Sequence, residues 1–98
     1  MRYAYPSIIT LEKNGAYSVR FPDLPGCVSC GYDVADAIIM AQDALCLWLY
    51  DMEQDKKVIP KPSDPKAIKK SNKEIASIVA IDTDEYHYFY TGTNDIIT

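Results

Sequence analysis

The residues with the most evident chemistry lie in one short stretch, PDLPGCVSCG at positions 22–31, which sets Cys27 and Cys30 in a C-x-x-C spacing. That spacing serves two chemistries, zinc ligation by thiolates and dithiol redox exchange. A structural zinc site takes four ligands, usually two such pairs or a Cys pair with a His pair. This chain has one pair and then an isolated Cys46 and an isolated His87. A redox dithiol sets its first Cys just ahead of a helix, whose dipole lowers the thiol pKa. The helix expected here starts only at Val34, beyond a cap. The stretch therefore reads as a turn entering a strand, where residues three apart point to opposite faces. No metal and no cofactor is expected.

Other catalytic constellations are weak. A general base needs an orienting partner and a group to act on. His87 has Asp82, Asp84 and Glu85 near it in sequence, but its segment reads as a polar and aromatic tail. None of the serines stands in a nucleophile elbow, and there is no G-x-G-x-x-G, Walker A or H-E-x-x-H pattern. Asp33, Asp36 and Asp43 fall on the exposed helix face and read as solvated carboxylates. A residual nuclease of RNase H type would need paired carboxylates with Mg²⁺. The first strand of such a fold offers the metal an acid, and residues 3–11 contain none. The chain reads as a non-enzyme with no catalytic residues.

The elements follow from local pattern. YAYPSIITL at 3–11 is β-rich, with Pro6 placing it at a sheet edge or at a bulge. Asn14-Gly15 is a hairpin turn, and AYSVRF at 16–21 alternates as a second strand. A short third strand is expected at about 27–31. Asp33 is the N-cap of a helix over 34–54, with Asp36 in its first turn. Val34, Ile38, Ala41, Leu45, Trp48 and Met52 form its expected core stripe. Ile39, Cys46 and Tyr50 lie on a flank, and Met40 and Leu47 fall on the face that should be polar. A helix apolar on more than one side is covered either by its own chain or by a partner. PKPSDPK at 60–66 is a semi-rigid connector. EIASIVAI at 74–81 is a strand with apolar residues on both faces, which predicts an interior position in the sheet. The order β-β-β-α-β is an α+β class, a small antiparallel sheet with one long helix on one face.

Size and charge narrow the role. A chain of 98 residues is one small domain. Its net charge of −4 gives no basic surface for non-specific nucleic-acid binding and suits a basic protein partner. The run Lys66 to Lys73 reads as solvated linker. No apolar run reaches the ~20 residues of a membrane span, and the N-terminus does not read as a signal peptide. Three cysteines, an odd number, fit a reducing cytoplasm better than a secreted disulfide framework.

The run GAYSVRFPDLPGCVSCGYDVADAIIMAQDAL at 15–45 resembles the N-terminal domain of the HicB antitoxin family. The resemblance rests on the strand ending in Phe21-Pro22-Asp23-Leu24-Pro25-Gly26-Cys27, on Gly31, on a capped helix with Ala37 and Ala44, and on the connector from Ile59 to Ser63. It covers roughly residues 3–82. It implies a trimmed RNase H-like fold without catalytic carboxylates. It also implies a domain that binds a small, basic, RNA-cleaving HicA toxin and neutralises it by occlusion. Family members usually append a C-terminal DNA-binding module. The residues after Asp82 are expected to be a short tail, 83–98, without one, so no direct nucleic-acid contact is expected from this chain. From the residues themselves, the partner surface is expected at Phe21, Asp23, Leu24, Pro25 and Cys27 and at Ile39, Asp43, Cys46 and Tyr50. Self-association as a dimer or tetramer is expected as well. An interaction module of the same family serving a different partner is the alternative.

Overall fold

Asn14 and Gly15 close the first hairpin. In the computed structural model, which describes residues 1–85, strand β1 (Arg2–Leu11) turns back into β2 (Tyr17–Arg20). The Gly15 N–H donates to the Glu12 carbonyl at 3.0 Å, and Gly15 adopts a φ of 89°. A turn closed by a left-handed glycine is a common short hairpin connection. Strand β3 (Val28–Gly31), helix α1 (Val34–Gln54), a 3₁₀ turn (Pro65–Ala67) and strand β4 (Glu74–Asp82) follow. The strands order as β3-β2-β1-β4, with every neighbouring pair antiparallel. The chain thus has the expected α+β architecture, with α1 across one face. The core between them holds Tyr5, Ile9, Val19, Phe21, Leu24, Cys27, Leu45, Leu49 and Val79.

The structure reverses two expected strand positions. β1 is central, not an edge, and β4 is an edge, not interior. Pro6 is tolerated in a central strand for a local reason. The Thr83 N–H donates to the Met1 carbonyl at 3.0 Å, which extends the β1–β4 ladder and sets its alternation. On that alternation Pro6, opposite Ile78, turns its nitrogen away from β4. The β1–β2 ladder ends at Ile8↔Arg20. One step further, Pro6 would face Pro22, and neither has an N–H to offer. The two prolines therefore end that ladder without leaving a donor unmet.

Helix α1 begins where the sequence placed it. Asp33 is extended, and its carboxylate accepts from the Asp36 N–H at 2.7 Å. Asp36 in turn accepts from the Tyr32 N–H at 2.9 Å, a reciprocal cap. The last turn closes with Lys57 N–H to Met52 O and Lys56 N–H to Glu53 O. Lys56 is left-handed at φ 56°. This is a Schellman ending with lysine where glycine is usual. Nearby, the Glu53 carboxylate accepts from Tyr3 OH at 2.6 Å and Thr83 Oγ1 at 3.0 Å, fastening the helix end to β1 and to the residue that follows β4. Burial and Glu53 push the Tyr3 phenol up to about 12.

The buried helix line is Ala37, Ala41, Leu45 and Leu49, with Ile38, Trp48 and Met52 packed at its margins. The expected stripe is rotated toward the small residues. The cause is a close approach to β3. A Cβ on Gly31 would lie 2.3 Å from the Ala37 backbone nitrogen. Only a face of small side chains lets the helix start so near the strand.

On the opposite sheet face Glu74 is a junction. It accepts from Arg20 Nη1 at 3.0 Å, Thr10 Oγ1 at 3.2 Å and the Ser71 N–H at 2.9 Å. The Ser71 N–H and then Arg20 hold its carboxyl at about 2, below an ordinary value of 4.5.

Two predictions follow from this packing. Gly31→Ala should cost about 3 kcal/mol or more, because the obstructing atoms are backbone and cannot repack; urea denaturation measures it. For Glu74, the folded pKa lies below the unfolded one. Its contribution is complete above the unfolded value and is lost as pH falls toward the folded one. The urea midpoint should therefore drop between about pH 5 and about pH 2, and Glu74→Gln should flatten that drop.

Candidate functional site

The stretch from Phe21 to Cys27 is two successive tight turns. The Leu24 N–H donates to Phe21 O at 3.0 Å, and the Cys27 N–H donates to Leu24 O at 2.9 Å. Pro22 and Pro25 each stand at the second position, where their fixed φ is already correct. Gly26, at φ 97°, supplies the positive angle of the second turn. The tip of the Trp48 indole lies against it, 3.0 Å from where a Cβ would be. This spacing sends Phe21, Leu24 and Cys27 into the core and leaves Pro22, Pro25 and Gly26 outside. The expected contact loop therefore presents Pro22, Pro25 and Gly26, while Phe21, Leu24 and Cys27 anchor it from beneath.

Asp23 has a structural tie. Its carboxylate accepts from the Ser63 N–H at 2.8 Å and from the Ser63 hydroxyl. The Tyr5 hydroxyl donates to the Pro60 carbonyl in the same connector. Burial, with the Asp23 charge adding to it, pushes the Tyr5 phenol up. Three hydrogen bonds thus hold the Pro-rich connector, two to the loop and one to β1.

The two cysteines of the C-x-x-C point apart. Cys27 is buried in the core, and burial pushes its thiol up to about 11. Cys30 is exposed and pairs with Ser18, on the sheet face away from α1. The geometry matches the reading of two unrelated strand thiols. Cys46 is also buried, with its Sγ 3.5 Å from the Asp82 carbonyl, so it faces the end of β4. Tyr50 is half-buried, and His87 lies outside the described residues.

The outer surface of α1 is the remaining candidate. Ile39 is 57% exposed, Met40 43% and Leu47 44%. Ile39, Asp43, Leu47 and Asp51 stand four residues apart, so they form one line along the helix. All are exposed, and apolar and acidic residues alternate along the line. Helix α1 carries Asp36, Asp43, Asp51 and Glu53 and no Lys or Arg. Asp51 also lines a shallow cavity with Trp48, Met52, Asp55 and Lys57, beside the Gly26 turn. Of the expected surface residues, the structure brings Ile39 and Asp43 into this line and Pro25 to the adjoining loop. Met40 and Leu47, which the sequence sets on the outer face of the helix, stand beside this line and in it, and Asp51, which the sequence reading passed over, continues the four-residue spacing from Ile39.

Among the described residues, the outer line of α1 carries carboxylates and apolar side chains. The described residues form a small domain with an acidic, partly apolar helix face. The family model for the HicB_like antitoxin of bacterial toxin-antitoxin systems matches residues 5–91. The chain belongs to this HicB-like antitoxin family. The antitoxin HicB of Escherichia coli K12 is 37% identical over 59 residues, which is 60% of this chain and 43% of that protein. The chain thus spans less than half the length of that relative. Among solved structures, a chain of the toxin-antitoxin complex from Streptococcus pneumoniae superposes with a TM-score of 0.80. That match has 23% identity and covers 88% of this chain and 73% of the other. A chain of the HicA3 and HicB3 toxin-antitoxin complex superposes at 0.65, with 26% identity, 82% of this chain and 99% of the other. Among the described residues, no helix is long and apolar enough to cross a membrane.

Burial separates the thiols by reactivity. At neutral pH an aromatic disulfide reagent should titrate one fast thiol per folded chain, Cys30, and Cys30→Ser should remove the fast phase. Cys27 should react only on unfolding, since its thiolate is scarce well below its pKa.

Proposed function

We propose that this chain is a non-catalytic antitoxin domain that neutralises a HicA-type, RNA-cleaving toxin in the cytoplasm by covering its surface. The observation that carries the reading is helix α1, which has acidic residues and no basic ones, with Ile39, Met40 and Leu47 exposed among them. An RNA-binding toxin needs a basic surface to hold phosphates. The carboxylates of α1 occupy that surface in place of RNA, and the apolar residues supply desolvated contact at its centre. Inhibition by this route needs no chemistry from the antitoxin. The complex of HicA3 with HicB3 supports a toxin as the partner class.

The test mixes the purified chain with a HicA-type toxin and a labelled RNA. Cleavage should stop near one equivalent of chain. Leu47→Lys with Asp51→Lys should weaken inhibition at least about tenfold, ~1.4 kcal/mol. Lysine at 51 sits in the last helical turn, where the dipole favours a cation. The double variant should therefore stay folded, and its loss of inhibition reports on the surface. RNA cleavage that continues at full rate beside excess folded chain would overturn the reading.

A further inference from the structure

The last turns of helix α1 border a cavity that the outer line of the helix does not account for. It holds about 260 Å³ and is lined by Trp48, Asp51, Met52, Asp55 and Lys57. Pockets for small molecules usually start at about 300 Å³, so this one suits a single side chain. Trp48 is the one tryptophan of the chain. It is half-buried against the core, and the tip of its indole rests on Gly26. The left-handed Gly26 has no Cβ to push the ring away. The indole is therefore fixed in place, and the part of it not packed on the core faces the cavity.

Three sources of negative potential meet there. The first is a pair of carboxylates. Asp51 stands three residues after Trp48 and Asp55 four further on, so all three share one side of the helix. Asp51 forms no ion pair among the described residues. Asp55 has Lys57 at 3.8 Å, with both side chains exposed, and such loose exposed pairs hold weakly. The second source is the helix C-terminus, whose carbonyls carry a partial negative charge. The last turn has no basic residue to offset it. The third is the face of the indole, which is negative through its quadrupole. Glu53 takes no part, because its carboxylate turns to Tyr3 and Thr83.

We propose that this cavity takes one arginine side chain of the toxin, with its guanidinium laid on the Trp48 indole and forked onto the Asp51 carboxylate. The site rests on the antitoxin reading of the chain and gives that surface an anchor. Chemistry selects the occupant. A guanidinium is planar and weakly hydrated and holds its donors in a fixed fork, so it stacks on an indole and bonds a carboxylate at once. An ammonium is strongly hydrated and has no flat face. An apolar side chain would desolvate the carboxylates without pairing them. An anion would meet like charge from two aspartates. Lys57 is exposed and sits on a flexible stem, so it turns to solvent as the arginine enters.

The place of the cavity suits an anchor. Asp51 ends the line from Ile39 through Asp43 and Leu47, and Trp48 follows Leu47 directly. The Gly26 turn closes the other side of the indole. A partner lying along the outer line of α1 thus reaches the cavity without leaving the helix. Binding energy at protein interfaces concentrates in a few such positions, where arginine and tryptophan are the commonest residues.

Trp48 supplies the probe. Chain grown with fluorotryptophan carries one labelled residue, and its fluorine resonance should move when an inactivated HicA-type toxin is added to one equivalent. Each arginine of that toxin is then changed to lysine in turn, which keeps the charge and removes the fork. Calorimetry measures binding to the parent chain, to Trp48→Leu and to Asp51→Asn. One arginine change should weaken binding to the parent about tenfold and binding to either chain variant by less than about twofold, since partners in one contact do not add. Asp51→Asn alters an exposed side chain and keeps the test open if Trp48→Leu fails to fold. A fluorine resonance that does not move in the complex would overturn the site. So would a toxin in which lysine replaces every arginine without loss, or arginine effects that add in full to both chain variants. In each of these cases a parent chain that still stops RNA cleavage leaves the antitoxin reading standing. A parent chain that fails to slow cleavage in excess would overturn both.

Discussion

Helix α1 meets the sheet through its smallest residues, and the rest of the molecule is arranged around that contact. Gly31 ends β3, and Asp33 caps the helix two positions later, so the chain has almost no slack in which to lift the helix away. The 2.3 Å between a hypothetical Gly31 Cβ and the Ala37 nitrogen measures how little room there is. Alanine at 37 and 41 completes the approach. The apolar volume that fills the core must then come from elsewhere. Tyr5, Ile9 and Val19 supply it from the sheet, and Phe21 and Leu24 from the double turn. The larger apolar helix residues Ile39, Met40 and Leu47 have no place in that contact and stay on the outside.

The double turn and the connector answer a second demand of the same packing. After α1 the chain has to return to the far side of β1 before β4 can pair. The Pro-rich connector makes that passage with little conformational freedom to lose. It is secured by Asp23 to Ser63 and by Tyr5 to Pro60. Asp23, one of the residues expected at a partner surface, has much of its hydrogen-bonding capacity committed to this internal tie. The same double turn that looks exposed in sequence is half core, because every third residue turns inward.

What was legible in the sequence was local. The hairpin at Asn14-Gly15, the Asp33 cap and the helix span 34–54 each depend on neighbours a few residues apart, and each stands where the residues place it. Strand order depends on pairing between β1 and β4, far apart in the chain, and there local rules misled. Pro6 argued for an edge, but it is harmless once the neighbouring ladder stops at Ile8↔Arg20. The helix phase was off for a related reason. Weighing residues by hydrophobicity favours Val34, Ile38, Trp48 and Met52, whereas a close backbone approach selects alanine. Cys46 looked like part of an outer flank because a single rotation of the helix decides which side it faces.

Both apolar features that the fold leaves open share a cost and a direction. The outer face of α1 keeps Asp51 in the last turn, with Asp55 as the cap, where the helix dipole disfavours anions. Lys56 is held left-handed where glycine would relieve the strain. Neither feature favours stability. Strand β4 likewise keeps Ile75 and Ile78 exposed on an edge that one lysine would protect. The two features do not compete for space. The α1 line faces away from the sheet, and the β4 edge runs along its side, with Gln42 at the Ala80 carbonyl marking the boundary.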